Sequence, residues 1–364
     1  MTCKRPQLSH SARARKIAND SGVVLMVVLW ILVILTILAV GLGRKTSVEL
    51  ALIKNAIGQM KAKYIAWGGL IYAIDHIRID TEDEKTKAYD TLYECGIKLD
   101  TNQSAEDLFE KISLGSGYFQ IAYKTEDQKT VIYGMEDEQR RINLNTINAQ
   151  NYKILSHLLV LLGVDDSAAD TIAASAADWV DRDNDVTNKP WGAEDDYYAG
   201  LAAALHGKNN LFDSVEELLL VRGMTPEIFN VIKNYVTIFP KGGNIQINFE
   251  TAPEVVLQAL ARTIAPLANA DNGDADNLAR KMVRLRAGND GKDGTSDDRS
   301  VELSDLALVA TEQAIFLTMS NNRTKVAQFL RVAATGVDQA SLVKSKIEAI
   351  IQRSNLTVVA WHRN

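Results

Sequence analysis

The stretch from Val23 to Gly43, VVLMVVLWILVILTILAVGLG, carries no charge, and Arg44 is the first charged residue after it. At about 1.5 Å rise per residue, 21 helical residues span roughly 30 Å, the thickness of a bilayer's hydrocarbon core. An unbroken aliphatic run of this length is a poor fit to the core helix of a soluble domain. A secretory signal peptide has an apolar region of about 7 to 15 residues before a small-residue cleavage motif. This run is longer and has no A-x-A site. Ahead of it Lys4, Arg5, Arg13, Arg15 and Lys16 stand against Asp20, a net charge of +4. The positive-inside rule therefore predicts a cytoplasmic N-terminus, with everything beyond Arg44 on the other side of the inner membrane.

The helical pattern continues past the span. Leu50, Ile53, Ile57, Met60, Tyr64, Trp67, Leu70, Ile71 and Ile74 recur at three- and four-residue spacing, predicting one helix from Val23 to about Arg78 with Gly68-Gly69 as its soft spot. A polar connection from Thr81 to Gly115 follows, with a short helix expected near Ala105 to Ile112. Alternation from Tyr118 to Tyr133 around Glu126-Asp127-Gln128 reads as a β-hairpin. Arg141 to Thr146 (RINLNT) looks like a short strand entering a helix, and Gly242 to Asn248 (GGNIQIN) resembles it. Helices are predicted at Tyr152–Leu162, Ala168–Val180, Ser214–Val221, Pro226–Tyr235 and Leu278–Arg286, with capped starts at Thr251 and Ser304. Strands are predicted at Ile315–Ser320, Gln328–Ala334, Val343–Ile351 and Thr357–His362.

Charge and chemistry narrow the function. The chain's net charge is −6, so setting aside the +4 leader leaves −10 on the remainder, which argues against nucleic acid as a partner. Cys3 lies ahead of the span, leaving Cys95 alone beyond it and no intramolecular disulfide there. Arg222-Gly223-Met224 joins two helical stretches in a helix-hairpin-helix pattern, which could present backbone amides to phosphate. With Glu216, Glu217 and Glu227 around only Arg222 and Lys233, ordinary helix packing is the better reading. There is no nucleophile elbow, P-loop, dinucleotide fingerprint or His-rich metal motif, and His76, His157, His206 and His362 are scattered, so no enzyme is expected.

Two acidic clusters are the candidate chemistry. Asp178, Asp181, Asp183 and Asp185 precede Glu194, Asp195 and Asp196, and Asp290, Asp293, Asp297 and Asp298 lie among three glycines. Calcium takes six to eight oxygen ligands on flexible loops, and neither cluster has EF-hand spacing. The expected metal ligands are Asp181, Asp183, Asp185, Glu194, Asp195 and Asp196, with Asp290, Asp293, Asp297 and Asp298 as a second set. A solvated acidic loop is the competing reading of each cluster.

Gly22 ends the basic leader directly before the apolar helix, which resembles the leader cut by prepilin peptidase on type IV pilins and pseudopilins. The resemblance implies cleavage between Gly22 and Val23. The Glu usual at the fifth residue after the cut is Val27 here. That departure, together with INLNT, DWVDRD, GAEDDYY and SVEEL, is similar to the K family of minor pseudopilins in type II secretion. The resemblance implies an α+β fold, a long N-terminal transmembrane and amphipathic helix packed on an antiparallel, pilin-like sheet, with a large inserted all-α domain. Its segments would be a cleaved leader (1–22), the membrane span (23–43), the first part of the pilin-like domain (44–140), the helical insert (141–304) and the C-terminal strands (305–364). It further implies a place at the pseudopilus tip and a role in priming assembly. Its partners would be the minor pseudopilins I and J, the major pseudopilin, prepilin peptidase, the inner-membrane assembly platform and membrane lipid. A minor pilin of a type IV pilus or DNA-uptake system, and a membrane-anchored periplasmic metal-dependent hydrolase, are the alternatives.

Overall fold

The computed structural model describes residue 2 and residues 20–84, 86–100, 103–125, 129–201 and 206–363; the basic residues of the leader and the expected hairpin turn at 126–128 lie outside them. Helix α1 comprises Asp20–Glu82, and the chain divides into two compact units, residues 1–57 and 58–364. In the first unit the aliphatic side chains from Val23 to Leu42 are all about half exposed or more, so none is covered by protein. Only this helix, among the described residues, is long and apolar enough to cross a membrane.

In the second unit α1 becomes a packing element. Ala62, Ala66, Leu70, Ala73 and Ile77 are buried along one face, the three- and four-residue spacing turning them toward the sheet. A Cβ on Gly336 would stand 2.2 Å from the Ala62 carbonyl oxygen, so glycine is what lets strand and helix backbones meet. Gly69, read as a soft spot, is helical and admits the Phe119 ring.

The chain continues through α2 (Ala105–Phe109), β1 (Ile112–Leu114), β2 (Gly117–Lys124), β3 (Val131–Tyr133), β4 (Glu136–Asp137) and β5 (Ile142–Asn143). A helical body follows, made of α3 (Lys153–Leu161), α4 (Asp166–Val180), α5 (Asp195–Ala199), α6 (Pro226–Ile232), β6 (Val236–Thr237), β7 (Ile247–Asn248), α7 (Glu254–Ile264), α8 (Asn272–Arg286) and α9 (Ala310–Met319). The chain then returns through β8 (Arg323–Thr324) to β9 (Phe329–Asp338), β10 (Lys344–Gln352) and β11 (Thr357–Arg363). The main sheet has the order β1-β2-β9-β10-β11, with β3 on β2 and β4 on β9, and every pair is antiparallel. The fold is α+β, a long helix on an antiparallel sheet carrying a helical insert.

Two cores serve it. One joins α1 to the sheet through Phe119, Ile121, Leu330, Val332 and Ala334. The other fills the insert and takes in Phe329 and Ile350 from the sheet. The two I-N motifs do the same job. Each forms a two-residue parallel bridge, Ile142↔Val236 and Ile247↔Arg323, and each Asn side chain accepts the amide two residues on.

Three expectations need correction. Ile315–Ser320 is not a strand; the segment belongs to α9, whose buried Ile315, Phe316 and Met319 follow a helical rather than an alternating spacing. The insert's helices accordingly continue past residue 304. Thr251 does not cap α7, because its hydroxyl donates to Asp137 Oδ2 at 2.8 Å, and Pro253 occupies the N-cap. Ser304 caps no helix: it lies inside a three-residue 3-10 turn, Leu303–Asp305, whose N-cap is Glu302.

Candidate metal centre

Helix α4 is N-capped by Asp165, and its alanines at 169, 173, 174, 176 and 177 are buried. That small-residue face lets the helix sink into the insert and carries Asp178 with it. Asp178 is 0% exposed and Asp181 is the C-cap. Carboxylates at a helix C-terminus face the negative end of its dipole, an unfavourable placement unless a cation offsets it. The loop beyond the helix turns back through residues 187–193, where the Thr187 amide donates to Asp178 Oδ1 at 2.9 Å. Gly192 is required in this turn, since a Cβ there would lie 2.2 Å from Asp178 Oδ2 and 2.6 Å from the Thr187 carbonyl. The turn delivers Glu194, 4% exposed, as the residue preceding α5.

Asp178, Asp181 and Glu194 each bring a carboxylate oxygen to within 4.8 Å of the others. Asp178 Oδ2, Asp181 Oδ1 and both oxygens of Glu194 are buried without a hydrogen-bond partner. Among the described residues no lysine or arginine forms an ion pair with these three groups. Such an arrangement answers its charge by taking up protons or a cation. Burial first, then Asp178 and Asp181, push the Glu194 carboxyl up to about 8. Burial and then Asp183 and Asp178 raise Asp181 to about 7, and burial also raises Asp178. An all-oxygen, multiply charged pocket suits a hard divalent ion, calcium or magnesium, over the softer transition metals.

The remaining expected ligands fall elsewhere. Asp183 and Asp185 are exposed, and Asp183 Oδ1 accepts the Asp185 amide at 2.9 Å, so the segment bends there. Asp195 accepts the Gly207 amide at 2.6 Å and Asp196 is exposed. In the second cluster Asp293 pairs with Arg286 at 2.8 Å, and Asp290 accepts the Lys292 amide at 2.7 Å. Asp297 accepts the Asn289 and Asp290 amides and the Thr295 hydroxyl, and Asp298 the Gly294 and Thr295 amides. Asp178 was visible in the sequence as a member of the first run but left out of the expected set, because its place on a helix hides that it meets Glu194.

The sequence profile of the family described as type II secretion system (T2SS), protein K matches residues 140–241, the part of the insert that contains this cluster. A type II secretion system protein K from Pectobacterium carotovorum subsp. carotovorum is 24% identical over 239 residues, 65% of this chain and 68% of that protein. An Escherichia coli (strain K12) protein named "Putative type II secretion system protein K" is 29% identical over 171 residues, 44% of this chain. The match spans only half (50%) of that E. coli relative's length. Through this part of the chain the sequence is similar to the type II secretion system protein K family. Its fold is also that of a chain in the crystal structure of the GspK-GspI-GspJ complex from enterotoxigenic E. coli, with TM-score 0.59 and 16% identity over 86% of this chain and 99% of that one.

Elsewhere in the chain, sequence reasoning missed the joint between sheet and insert. Glu136 to Arg141 are six consecutive polar or charged residues, all buried. Glu138 accepts from Arg331 Nε of β9 at 2.6 Å and from Arg141 at 3.2 Å, and Thr237 donates to it from β6. Arg331 also reaches Glu348 of β10 at 2.8 Å. The run EDEQRR would have looked solvated in any composition-based reading. The expected cleavage pair, Gly22 and Val23, is exposed on α1, and a side chain at Gly22 would meet nothing within 4 Å.

Proposed function

We propose that this protein is a minor pseudopilin of a type II secretion system, anchored in the inner membrane by a single span with its sheet and insert in the periplasm. Its role is assembly rather than catalysis. Placed at the pseudopilus tip with the I and J minor subunits, it would prime polymerisation of the major subunit after prepilin peptidase cuts between Gly22 and Val23. The carrying observation is one chain that joins an apolar helix uncovered by protein to a sheet with the K-family helical insert. The decisive experiment deletes the gene and measures secreted protein, with N-terminal sequencing of the membrane form. Loss of secretion, restored by the wild-type chain and not by a Gly22 variant that stays uncut, is expected. Unimpaired secretion, or a mature chain that does not begin at Val23, would refute the reading.

The same reading includes calcium in the insert. Asp178, Asp181 and Glu194 would hold it, and its charge would answer four buried carboxylate oxygens that lack partners. The ion would tie the end of α4 to the start of α5. No disulfide is available to do so, as Cys95 is a free, buried thiol and is the one cysteine beyond the leader.

A further inference from the structure

Resting on that calcium reading, we propose that Arg222, in the helix-hairpin-helix turn, is the residue that positions Glu194 for the ion. The turn lies against α4: Gly223 adopts φ +84°, and a Cβ there would come within 3.2 Å of Ile172 and 3.3 Å of Thr171. From this seat Arg222 reaches both sides of Glu194. Its Nη1 donates to the Gly192 carbonyl at 2.9 Å and to the Pro190 carbonyl at 3.2 Å, just before the glutamate. Its guanidinium carbon stands 4.8 Å from the centre of the Tyr197 ring, just after it, and its backbone amide donates to the Tyr198 hydroxyl at 3.3 Å.

Glu194 makes no hydrogen bond of its own through either carboxylate oxygen, so its place depends on the backbone that carries it. That backbone is held on one side through its carbonyls and on the other through the Tyr197 ring, both by one guanidinium. Among the described residues no carboxylate forms an ion pair with Arg222. Its donors go to the loop, not to the ligands, and it acts on the ion only through the loop. The turn that looks like a phosphate-binding motif is thereby a buttress for a cation site.

Calcium titration of the full-length chain in detergent, by calorimetry, tests this with Arg222→Met and Arg222→Lys. Residues that orient metal ligands typically shift affinity by about 10- to 100-fold. Both variants are expected to bind calcium at least tenfold more weakly than wild type, with melting lowered clearly more in the presence of calcium than in its absence. Lysine should not rescue, because a single ammonium cannot bridge two carbonyls and lie flat on a ring. Variants that bind calcium as tightly as wild type would overturn the assignment while leaving the calcium site intact. Variants that melt earlier without calcium, by as much as with it, would also overturn it, marking Arg222 as a packing residue. A wild-type chain that binds no calcium would instead remove the reading beneath it.

Discussion

The loop after α4 and the loop after α8 are equally rich in acid, yet their carboxylates are answered differently. After α8, Asp290, Asp293, Asp297 and Asp298 each accept from backbone amides, a hydroxyl or Arg286, inside a loop whose Gly288, Gly291 and Gly294 all take positive φ. Those glycines let the amides turn inward, so the loop satisfies its own acids. After α4, the Thr187 amide serves one oxygen of Asp178, and four oxygens of the three converging acids are buried unserved. Carboxylate density is thus a poor guide to a cation site. The telling quantity is how many buried oxygens the protein leaves without donors.

A third set of acids, at the joint, bounds the comparison from above. Glu138 is fully buried like Asp178, but Arg331, Arg141 and Thr237 surround it, and their pull outweighs burial to hold its carboxyl down at about 2. Removing one partner of a buried pair leaves an uncompensated charge and typically costs about 3–5 kcal/mol. Arg331→Met is therefore expected to show the largest loss, measured by thermal or denaturant unfolding of the full chain in detergent. A loss under about 1 kcal/mol would mean that a buried acid here does not need its partners, and the comparison would fail at its strongest point.

Calcium removal comes next. Binding to the folded state alone contributes about 2.7 kcal/mol at a hundredfold excess over Kd. Melting should rise with calcium and fall with chelator, and Asp178→Ala together with Asp181→Ala should erase the difference. The pH dependence has a definite sign. Without the ion, Glu194 and Asp181 titrate at about 8 and about 7 in the folded chain, above their ordinary values of 4.5 and 3.8. The folded state then holds protons that the unfolded state releases, so their contribution to metal-free stability is present near pH 4 and is lost as pH rises toward 8. Calcium must displace the same protons, so its affinity should climb over that range. Calcium affinity that is flat from pH 6 to 8 would contradict the protonated, donor-poor state assigned to these acids.

Much of the fold could be read from the chain before any coordinates. The apolar run, the amphipathic continuation to Ile74, the hairpin flanks and the last three strands are governed by local periodicity, and they lie where that periodicity placed them. Segments decided by distant partners could not be read. Glu312 is 2% exposed; it accepts the Val309 amide at the start of α9 and pairs with Lys281 of α8, so one buried acid both caps the helix that carries Ile315 and ties it to its neighbour. Thr251 leaves its capping position for Asp137, more than a hundred residues away in sequence. Asp178 joins Glu194 only because Gly192 permits the turn between them. For Thr251 and for the meeting of Asp178 with Glu194 the deciding contact lies outside the local pattern. The helical spacing of Ile315, Phe316 and Met319, by contrast, stands in the sequence, and reading it as a strand misjudges it.

The smallest expected effect is in the α8 loop, and it separates a self-satisfied loop from a cation site. Asp297 accepts two amides and one hydroxyl, which hold its carboxyl below the usual range. Removing it frees donors that lie near solvent, as Asn289 and Asp290 are exposed, so water can replace much of what is lost. Asp297→Ala should therefore lower the melting temperature only slightly, by less than either Arg331→Met or calcium removal. The calcium-dependent rise in melting should survive in this variant undiminished, because the oxygens that lack donors lie after α4. If Asp297→Ala instead abolished the calcium response, the ion would belong to the loop whose acids are already hydrogen-bonded, and unserved oxygens would lose their standing as the mark of the site.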